Sequence, residues 1–159
     1  MAKYATISNM PTLIQNKKVH FNYEILDQFD AGIELFGYEV KSLRNKRGSL
    51  EGSHVIVRGD EAFLIGANVP AFQPKNAPKD YDSLRNRKLL LTKKELSELA
   101  GKESQKGLTI VPISLYTKRR NIKLSLGVAR GKKKYDKRED IKKRYIQRDV
   151  DREMKQQGF

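Results

Sequence analysis

Residues 108–129 read LTIVPISLYTKRRNIKLSLGVA and contain the clearest evidence about the fold. Every second residue from Ile122 to Val128 is apolar, and this period of two is typical of a strand with one buried face. Residues 108–116 are mostly apolar, and the polar segment 117–120 between the two runs predicts a tight connection. We therefore expect two adjacent strands that pair antiparallel.

The same alternation occurs nearer the beginning of the chain. Apolar and polar residues alternate over residues 19–25, which predicts another half-buried strand. The sequence RGDE at residues 58–61 predicts a turn that joins two strands in a hairpin. The shorter strand candidates are residues 32–35, 54–58 and 62–68. The chain is thus expected to have about six strands, mostly antiparallel because their connections are short.

Two helices interrupt the strand pattern. Thr92 and Glu95 have the spacing of a capping box, in which each side chain bonds the backbone N–H of the other residue. The helix that they begin is expected to end near Gly101. A shorter helix is predicted over residues 38–45, and prolines make residues 70–78 a loop.

These elements predict a mainly β protein. The strand number favours an OB-type closed barrel of about six antiparallel strands, flanked by two to three helices. Other small barrels show the same period, so periodicity alone does not separate them. Clear apolar periodicity stops near residue 129. We therefore expect an OB-type barrel over residues 1–129 and a basic C-terminal tail over residues 130–159.

The composition excludes several classes of protein. The chain has 159 residues, with 33 Lys and Arg against 19 Asp and Glu, a net charge of +14. It has no cysteine, which removes disulfides, thiolate zinc sites and cysteine nucleophiles. Neither a membrane-spanning apolar run nor a signal peptide is visible, so we expect a cytoplasmic protein that enters no membrane. A strongly basic protein of this kind most often binds nucleic acid.

Residues that could catalyse a reaction are scarce. The two histidines, His20 and His54, have no cysteine to pair with, and neither a metal-ligand cluster nor a phosphate-binding motif is present. We interpret His20 as a surface or RNA-facing imidazole and His54 as a packing or edge residue. Glu34 and Glu39 are interpreted as members of ion pairs rather than as catalytic carboxylates. We therefore expect no enzyme, no metal and no cofactor.

Five basic clusters indicate what the protein binds. They are Lys17-Lys18, Arg44 to Arg47, Arg85 to Lys88, Lys118 to Arg120 and Lys132 to Lys134. Any one of them could equally be a solvated face, but together with the net charge they favour contacts to phosphates. Few aromatic residues lie between these clusters, so recognition of folded RNA by its shape is favoured over stacking along single strands.

The tail has a basic face of its own. Arg144, Arg148, Arg152 and Lys155 recur at helical spacing, and three acidic residues stand four positions before a basic one. The apolar strip beside this face is thin, so the helix is marginal alone in water. We predict a tail that is disordered alone and becomes helical against RNA. An inert solubilising tail is the alternative.

Several short segments, taken in order, carry a family resemblance. They are NKK at 16–18, FDAGIEL at 29–35, GYEVKSLR at 37–44, EAFL at 61–64, RKLLL at 87–91, GVARGKK at 127–133 and DKR at 136–138. Together they resemble the SmpB family, the SsrA-binding proteins, from about residue 14 to residue 155. The resemblance implies an OB-type barrel. It also implies an adaptor of trans-translation, which binds the tRNA-like domain of transfer-messenger RNA and delivers it to stalled ribosomes for rescue and tagging.

The resemblance and the basic clusters give two sets of candidate RNA-binding residues. On the body, the resemblance implies roles in transfer-messenger RNA binding for Asn16, Lys17, His20, Asp30, Leu90, Thr92, Lys123, Gly131, Lys132 and Lys133. The basic clusters add Lys18, Lys118, Arg119 and Arg120. Asp30 and Thr92 stand where the family often has Glu and Asn.

In the tail, the resemblance implies contacts in the decoding centre and the empty mRNA channel of the ribosome. The residues concerned are Tyr135, Asp136, Lys137, Arg138, Ile141 and Met154. The positive charge of the tail adds Lys134, Lys142, Arg144, Arg148 and Arg152. Tyr135 stands where some members of the family have His.

The implied partners are transfer-messenger RNA and the stalled ribosome, including its small-subunit RNA, and we expect a monomer. A structural ribosomal protein or a general OB-type RNA binder is the alternative. The two differ in specificity, because an adaptor should prefer the folded tRNA-like domain to unstructured RNA and should not need its tail for that binding.

Overall fold

Seven antiparallel strands form one sheet in the computed structural model, which describes residues 11–156 apart from the side chains at positions 134, 135 and 156. The strands are β1 (Thr12–Gln15), β2 (Tyr23–Ile33), β3 (His54–Arg58), β4 (Glu61–Ile65), β5 (Arg87–Leu90), β6 (Leu108–Lys118) and β7 (Asn121–Gly131). Their order across the sheet is β1-β6-β3-β4-β5-β2-β7. The mainly β class and the antiparallel pairing are confirmed.

A further pairing of β6 with β7 closes this order into a ring of six strands, with β1 attached outside the ring at β6. The β6–β7 hairpin is paired along its whole length, as predicted from residues 108–129. The ring is uneven, because β3 meets β6 at one residue pair and β2 meets β5 at two. The predicted closed barrel is therefore present as an order of pairing, although it is not a regular barrel.

Four helices lie among the described residues, in addition to a 3-10 turn at Pro74–Asn76. They are α1 (Val19–Asn22), α2 (Gly37–Arg44), α3 (Lys93–Glu103) and α4 (Lys134–Gln156). The predicted capping box is confirmed, since Thr92 Oγ1 accepts from the Glu95 N–H and Glu95 Oε1 from the Thr92 N–H, both at 3.2 Å. Helix α3 continues past Gly101. Its last turn is held on β3 because Glu103 Oε2 accepts from the Val57 N–H at 2.8 Å.

All seven strands, α2 and α3 contribute to one main apolar core. Leu43 of α2 and Leu99 of α3 are fully buried in it. Burial of such a leucine is worth roughly 1.5–3 kcal/mol, so the core fixes both helices on the sheet. A second, smaller cluster of Val19, Val111 and Ala129 holds α1 against β6 and β7.

The prediction of a strand over residues 19–25 is wrong for the first half of that segment. Val19–Asn22 is a helical turn whose last N–H donates to the carbonyl oxygen of Lys18 at 3.0 Å. The strand begins only at Tyr23. A single buried residue, Val19, among more exposed neighbours fits a helical turn as well as a strand, so four residues do not separate the two periods.

Other strand boundaries also differ from the predictions. The strand expected at residues 32–35 is the end of the longer strand β2, and the one expected at 62–68 stops at Ile65, before Gly66 at a φ of +81°. Strands β1 and β5 have only four residues each, too few to show a period of two. Strand β5 also contains a fully buried charge, Arg87, which an apolar pattern does not predict.

The body extends slightly further than predicted. Strand β7 runs to Gly131 rather than ending at residue 129, and α4 begins three residues later. The division into an autonomous barrel and a tail that folds only on the ribosome stays a prediction.

Candidate nucleic-acid interface

An open groove of about 590 Å³ lies between β2, β5, β7 and the beginning of α3. Four predicted RNA-binding residues line it together: Asp30, Leu90, Thr92 and Lys123. Leu90 is apolar yet 52% exposed, which suits a contact with the face of a base. Gly32 pairs with Leu90, and a Cβ atom at Gly32 would lie 3.1 Å from the Leu90 Cβ, so a larger residue there would require Leu90 to shift.

A second cavity of about 310 Å³ continues the groove toward the β6–β7 turn. It shares Leu90 and Lys123 with the groove and adds Arg120. Lys118, Arg119 and Arg120 are all exposed in this turn. The structure therefore places the predicted cationic turn at one end of the groove, where it can neutralise phosphates of an RNA lying in it.

Asp30 is held in place by a tyrosine. The Tyr116 hydroxyl donates to Asp30 Oδ1 at 2.9 Å. Burial of the tyrosine and this hydrogen bond raise the pKa of Tyr116, so it remains a donor throughout the physiological range. Asp30 is thus a fixed acceptor on the groove wall.

Thr92 also lines the groove, but its hydroxyl is engaged in the helix cap. Besides accepting from the Glu95 N–H, Thr92 Oγ1 donates to Glu95 Oε1 at 3.0 Å. A contact between Thr92 and RNA would therefore have to share this oxygen with the cap.

The other predicted body residues form a patch around α1. Lys17, Lys18 and His20 are exposed there. Gly131 pairs with Tyr23, and the Lys132 N–H donates to the carbonyl oxygen of Asn22 at 2.9 Å, which brings residues 131–133 next to α1. Lys18 forms an ion pair with Glu51 at 3.0 Å, and the two side chains are 65% and 62% exposed. Such a pair exchanges readily for a phosphate. We call residues 17–20 with 131–133 the α1 patch.

Asn16 differs from the other predicted body residues because it is buried. It is 8% exposed, and its Nδ2 donates to the carbonyl oxygen of Pro112 at 2.9 Å. Its backbone N–H donates to the carbonyl oxygen of Ile113, also at 2.9 Å. These two hydrogen bonds fix the end of β1 and the beginning of α1 to β6, so Asn16 has a structural role.

One of the five predicted phosphate-binding clusters is partly structural. Arg87, in the cluster from Arg85 to Lys88, is fully buried and its Nη2 donates to Glu39 Oε2 at 2.7 Å. Arg85 reaches the other oxygen, Glu39 Oε1, at 2.5 Å. The Tyr81 hydroxyl donates to Glu39 Oε2 at 2.8 Å. Arg87 is therefore unavailable to RNA, while Glu39 has the ion-pair role that the sequence predicts.

The protonation states of this buried network follow from its contacts. Burial alone would raise the pKa of Glu39, but hydrogen bonds from Arg85, the Phe36 N–H and Tyr81 outweigh it and hold the pKa below its usual value. Burial and the neighbouring carboxylate raise the pKa of Tyr81 to about 12. The network therefore consists of one carboxylate, two guanidinium groups and a neutral phenol at neutral pH.

The tail residues lie on α4, a helix of 23 residues. The side chains of Lys134 and Tyr135 lie outside the described residues. The predicted contacts on the exposed part of the helix are Asp136, Arg138, Ile141, Lys142, Arg144, Arg148, Arg152 and Met154. Lys137 is partly buried. The apolar side chains of α4 are also open, with Ile146 63% and Met154 53% exposed.

The base of α4 contacts the body. Lys132 forms an ion pair with Asp140. The Arg144 guanidinium lies 5.2 Å and the Lys137 ammonium 5.8 Å from the centroid of the Phe21 ring, which is cation–π distance. Sequence reasoning missed Phe21 because its partners lie more than 110 positions away. The pattern of the helix alone does not show which body residue faces it.

The intrahelical ion pairs expected at four-residue spacing are not found among the described residues. Glu139 pairs instead with Lys142 at 3.9 Å, Asp140 pairs with Lys132, and Asp151 accepts from Gln147 Nε2 at 3.0 Å. The acidic residues near the base of the helix are thus used to dock it or to bond a nearer neighbour. Among the described residues, no carboxylate forms an ion pair with the basic side chains of residues 144–155.

Neither a metal-binding cluster nor a membrane-spanning helix is present in the part of the chain that the structure describes. No group of three or more His, Cys, Asp and Glu side chains in residues 11–156 could hold a metal ion. None of the helices that the structure describes is both long and apolar enough to cross a membrane.

Comparisons with known proteins bear on the whole chain. Residues 13–156 match the family model described as SmpB protein. The SsrA-binding protein of Mesoplasma florum is 50% identical over 133 residues, which cover 84% of this chain and 89% of the relative. That of Thermosynechococcus vestitus is 43% identical over 148 residues, 93% of this chain and 97% of the relative.

A solved structure is similar as well. It is described as "tmRNA-SmpB: a journey to the center of the bacterial ribosome". One of its chains superposes with a TM-score of 0.65 at 40% sequence identity, and the match covers 80% of this chain and 93% of that one. Fold and sequence therefore point to the same family.

Proposed function

This chain belongs to the SmpB family, and from that membership we propose that it is the RNA-binding adaptor of trans-translation. It binds the tRNA-like domain of transfer-messenger RNA and brings it to stalled ribosomes, so that the incomplete protein is tagged and the ribosome is rescued. The observation that carries the proposal in this molecule is the groove, where Asp30, Leu90, Thr92 and Lys123 are brought together from four elements.

The chemistry of the body suits a folded RNA. Leu90 offers an exposed apolar surface to a base, Asp30 a fixed acceptor, and Lys123 a cation for a phosphate. The α1 patch supplies a second set of cations. The base that meets Leu90 is an unpaired one, because side chains cannot reach bases in the deep groove of an RNA helix. A folded RNA that displays such a base beside ordered phosphates suits these contacts.

The tail suits a different RNA surface. Arg144, Arg148 and Arg152 stand one turn apart along an exposed helix. An mRNA channel without mRNA is a tube lined by ribosomal RNA phosphates. A helix with this cationic face occupies such a tube only when no mRNA is present, so the tail senses a stalled ribosome by steric competition.

The experiment that tests the proposal compares three RNAs in a salt series: the tRNA-like domain of transfer-messenger RNA, an elongator tRNA and poly-U. The proteins are the native chain and a variant with Arg144, Arg148 and Arg152 replaced by Glu. We expect both proteins to prefer the tRNA-like domain by at least about ten-fold, roughly 1.4 kcal/mol. Only the native chain should support tagging of stalled chains in a translation extract.

Two outcomes would contradict the proposal. Equal binding of all three RNAs would leave a generic basic RNA binder, because specificity for the folded domain would be missing. Equal loss of binding and of tagging in the triple variant would show that body and tail do not act on separate RNA surfaces.

The remaining assignments follow from this role. An adaptor works by binding, so we propose no catalytic residue, no metal and no cofactor for this chain. Its partners are ribosomes and transfer-messenger RNA, which places it in the cytoplasm. We propose that it acts as a monomer, since the groove and the α1 patch are both complete within one chain.

A further inference from the structure

A separate cleft of about 240 Å³ lies between α2 and the loop of residues 70–76. Its lining residues are Gly37, Tyr38, Lys41, Phe72, Gln73 and Asn76. None of them lines the groove or the cavity that continues it. The cleft therefore lies outside the candidate interface described above.

Hydrogen bonds hold the two walls of this cleft together. The Phe72 N–H donates to the carbonyl oxygen of Tyr38 at 3.1 Å, and Arg47 Nη1 donates to the carbonyl oxygen of Phe72 at 3.4 Å. The Asn76 N–H donates to the carbonyl oxygen of Gln73 at 2.9 Å, and the side-chain amides of these two residues also bond each other. A surface loop anchored in this way keeps the cleft preformed.

The Tyr38 ring is fixed from behind by the buried network. It meets the Tyr81 ring edge to face, with 4.9 Å between the ring centroids and an interplanar angle of 84°. The Tyr81 hydroxyl is in turn bonded to Glu39 and to the carbonyl oxygen of Val69. The Phe36 ring also lies against Tyr38, with 5.5 Å between the ring centroids. Because these neighbours hold the Tyr38 ring, its ordering costs little entropy when a ligand binds in the cleft.

The surroundings of the cleft are cationic. Lys41, Arg44, Lys46 and Arg47 are exposed along and just after α2. The single carboxylate of α2, Glu39, is fully buried and occupied by its arginine partners. The outer surface of this helix therefore offers only positive charge, which favours an anionic partner. No residue from Arg44 to Arg47 lines the groove or the cavity that continues it, and only Arg44 reaches toward them, since its Nη2 donates to the carbonyl oxygen of Arg120 at 3.4 Å.

We propose that this cleft binds an unpaired nucleotide of an RNA. The base stacks in the cleft against Tyr38 and Phe72, and the flanking phosphates pair with Lys41 and Arg47. Because Asn76 Nδ2 donates to Gln73 Oε1, the atoms Gln73 Nε2 and Asn76 Oδ1 remain available for hydrogen bonds to the edge of the base. The sequence does not predict stacking at this cleft, because Phe72 lies 31 positions after Lys41 and 25 after Arg47.

The inference rests on the proposed function only for the class of ligand, RNA. An unpaired nucleotide could come from transfer-messenger RNA or from ribosomal RNA, since both contain exposed bases and the chemistry of recognition is the same. A protein partner is disfavoured because it would have to present a carboxylate-rich surface together with an aromatic or apolar side chain for the cleft.

The experiment uses the full chain and a pentauridylate that contains one 4-thiouridine, which crosslinks on irradiation to a stacked side chain. Crosslinked residues are mapped by mass spectrometry. The variants are Phe72→Leu, which keeps an apolar side chain but removes the stacking face, and the double variant Lys41→Gln with Arg47→Gln. The control is Lys106→Gln, which removes one positive charge from an exposed loop after α3.

We expect crosslinks at Tyr38 or Phe72 in the native chain and at least about a five-fold loss of crosslink yield there in the Phe72 variant. In the double variant, the slope of log affinity against log salt should fall by about 1.4, since each lost contact to a single strand contributes about 0.7. The control should change neither quantity.

The inference is overturned if the oligonucleotide crosslinks only to the groove, or if the double variant behaves as the Lys106 variant does. The double variant decides the case even if the Phe72 variant fails to fold, because both of its side chains are exposed and the bond from the Phe72 N–H to the Tyr38 carbonyl oxygen still joins the two walls when the Arg47 bond is lost. The same crosslinking with the tRNA-like domain and with purified ribosomes then identifies the source of the nucleotide. Failure of the proposed function would appear separately, as loss of preference for the tRNA-like domain in the native chain.

Discussion

At the scale of single residues, Glu39 is the side chain on which most of the polar interior depends. Its two oxygens accept from Arg85, Arg87 and Tyr81, and Oε1 also accepts from the Phe36 N–H at 2.7 Å. Removing the carboxylate from such a network is costly, because the fully buried Arg87 would keep its charge with only neutral carbonyl and hydroxyl oxygens as acceptors.

We therefore expect Glu39→Gln to lower the free energy of unfolding by about 3–5 kcal/mol at pH 7. The exposed ion pair of Glu61 with Lys88, at 3.2 Å, provides the control, since Glu61→Gln should cost no more than about 1 kcal/mol. Urea unfolding followed by circular dichroism measures both. Equal losses in the two variants would contradict the structural role of the network.

The same variant has an expected signature in acid. Because the folded-state pKa of Glu39 lies below its ordinary 4.5, the stability that its charge contributes is present above that pH and is lost as the pH falls below it. The Glu39→Gln chain has no such group to protonate. Its stability should therefore depend less on pH in that range than the stability of the native chain.

The network also shows where prediction from sequence fails at this scale. Arg85 to Lys88 is a run of charge, and a run of charge usually lies on a solvated face. Arg87 is buried because a carboxylate 48 positions earlier meets it across the molecule. Such a contact depends on tertiary structure and leaves no mark in the local pattern, whereas the ion-pair role of Glu39 was predictable from its place on a short helix.

At the scale of elements, Thr92 caps helix α3 and also lines the groove, and a stability measurement isolates its role as a cap. Thr92→Ala should lower the free energy of unfolding by about 1 kcal/mol, because the first turn of α3 loses its cap, while Thr92→Ser should keep the cap and the stability. Ser97→Ala, in the exposed middle of the same helix, is the control and should be nearly neutral. A Thr92→Ala chain as stable as the control would show that the cap contributes nothing.

The elements that could be predicted are those whose own residues determine them. The capping box defines the beginning of α3, and the alternation in β6 and β7 defines a hairpin that is eleven residues long on each side. Strand β5 and the helical turn α1 depend on neighbours instead. Arg87 enters β5 because Glu39 receives it, and Val19 is buried because Val111 and Ala129 cover it.

At the scale of the whole molecule, α4 is joined to the body by the Lys132–Asp140 ion pair and by the Phe21 ring, and we expect the ring to limit the direction of the helix. Phe21→Leu keeps an apolar side chain but removes the ring that faces Arg144 and Lys137, so the helix should sample a wider range of directions. The absence of cysteine allows two spin labels to be placed specifically, through Lys106→Cys on the body and Asp149→Cys on the tail. The measured distance distribution should broaden in the Phe21 variant.

The matched control for this measurement is Phe72→Leu, a similar change at a partly buried ring outside these contacts. It should leave the distance distribution unchanged. A distribution as narrow in the Phe21 variant as in the native chain would show that Lys132 and Asp140 alone orient the helix.

The candidate site is predictable mainly through the family resemblance, and its assembly is not. Asp30, Leu90, Thr92 and Lys123 are distant in sequence, and they share one groove only because β2 lies between β5 and β7. Periodicity identifies strands but not the order in which they pair. The closing of the ring by β6 and β7 is accordingly a property of the molecule as a whole.

Strand β7 also acts as a molecular ruler. It carries Lys123 of the groove near one end and Gly131 of the α1 patch at the other, eight residues apart. At a rise of about 3.4 Å per residue this is a span of about 27 Å, and β2 and β6 on either side keep it from bending freely. An RNA gains both sets of contacts at once only if its own architecture already spaces its contact points by that length. A rigid, folded RNA meets this condition without losing entropy, while a flexible strand would first have to be straightened.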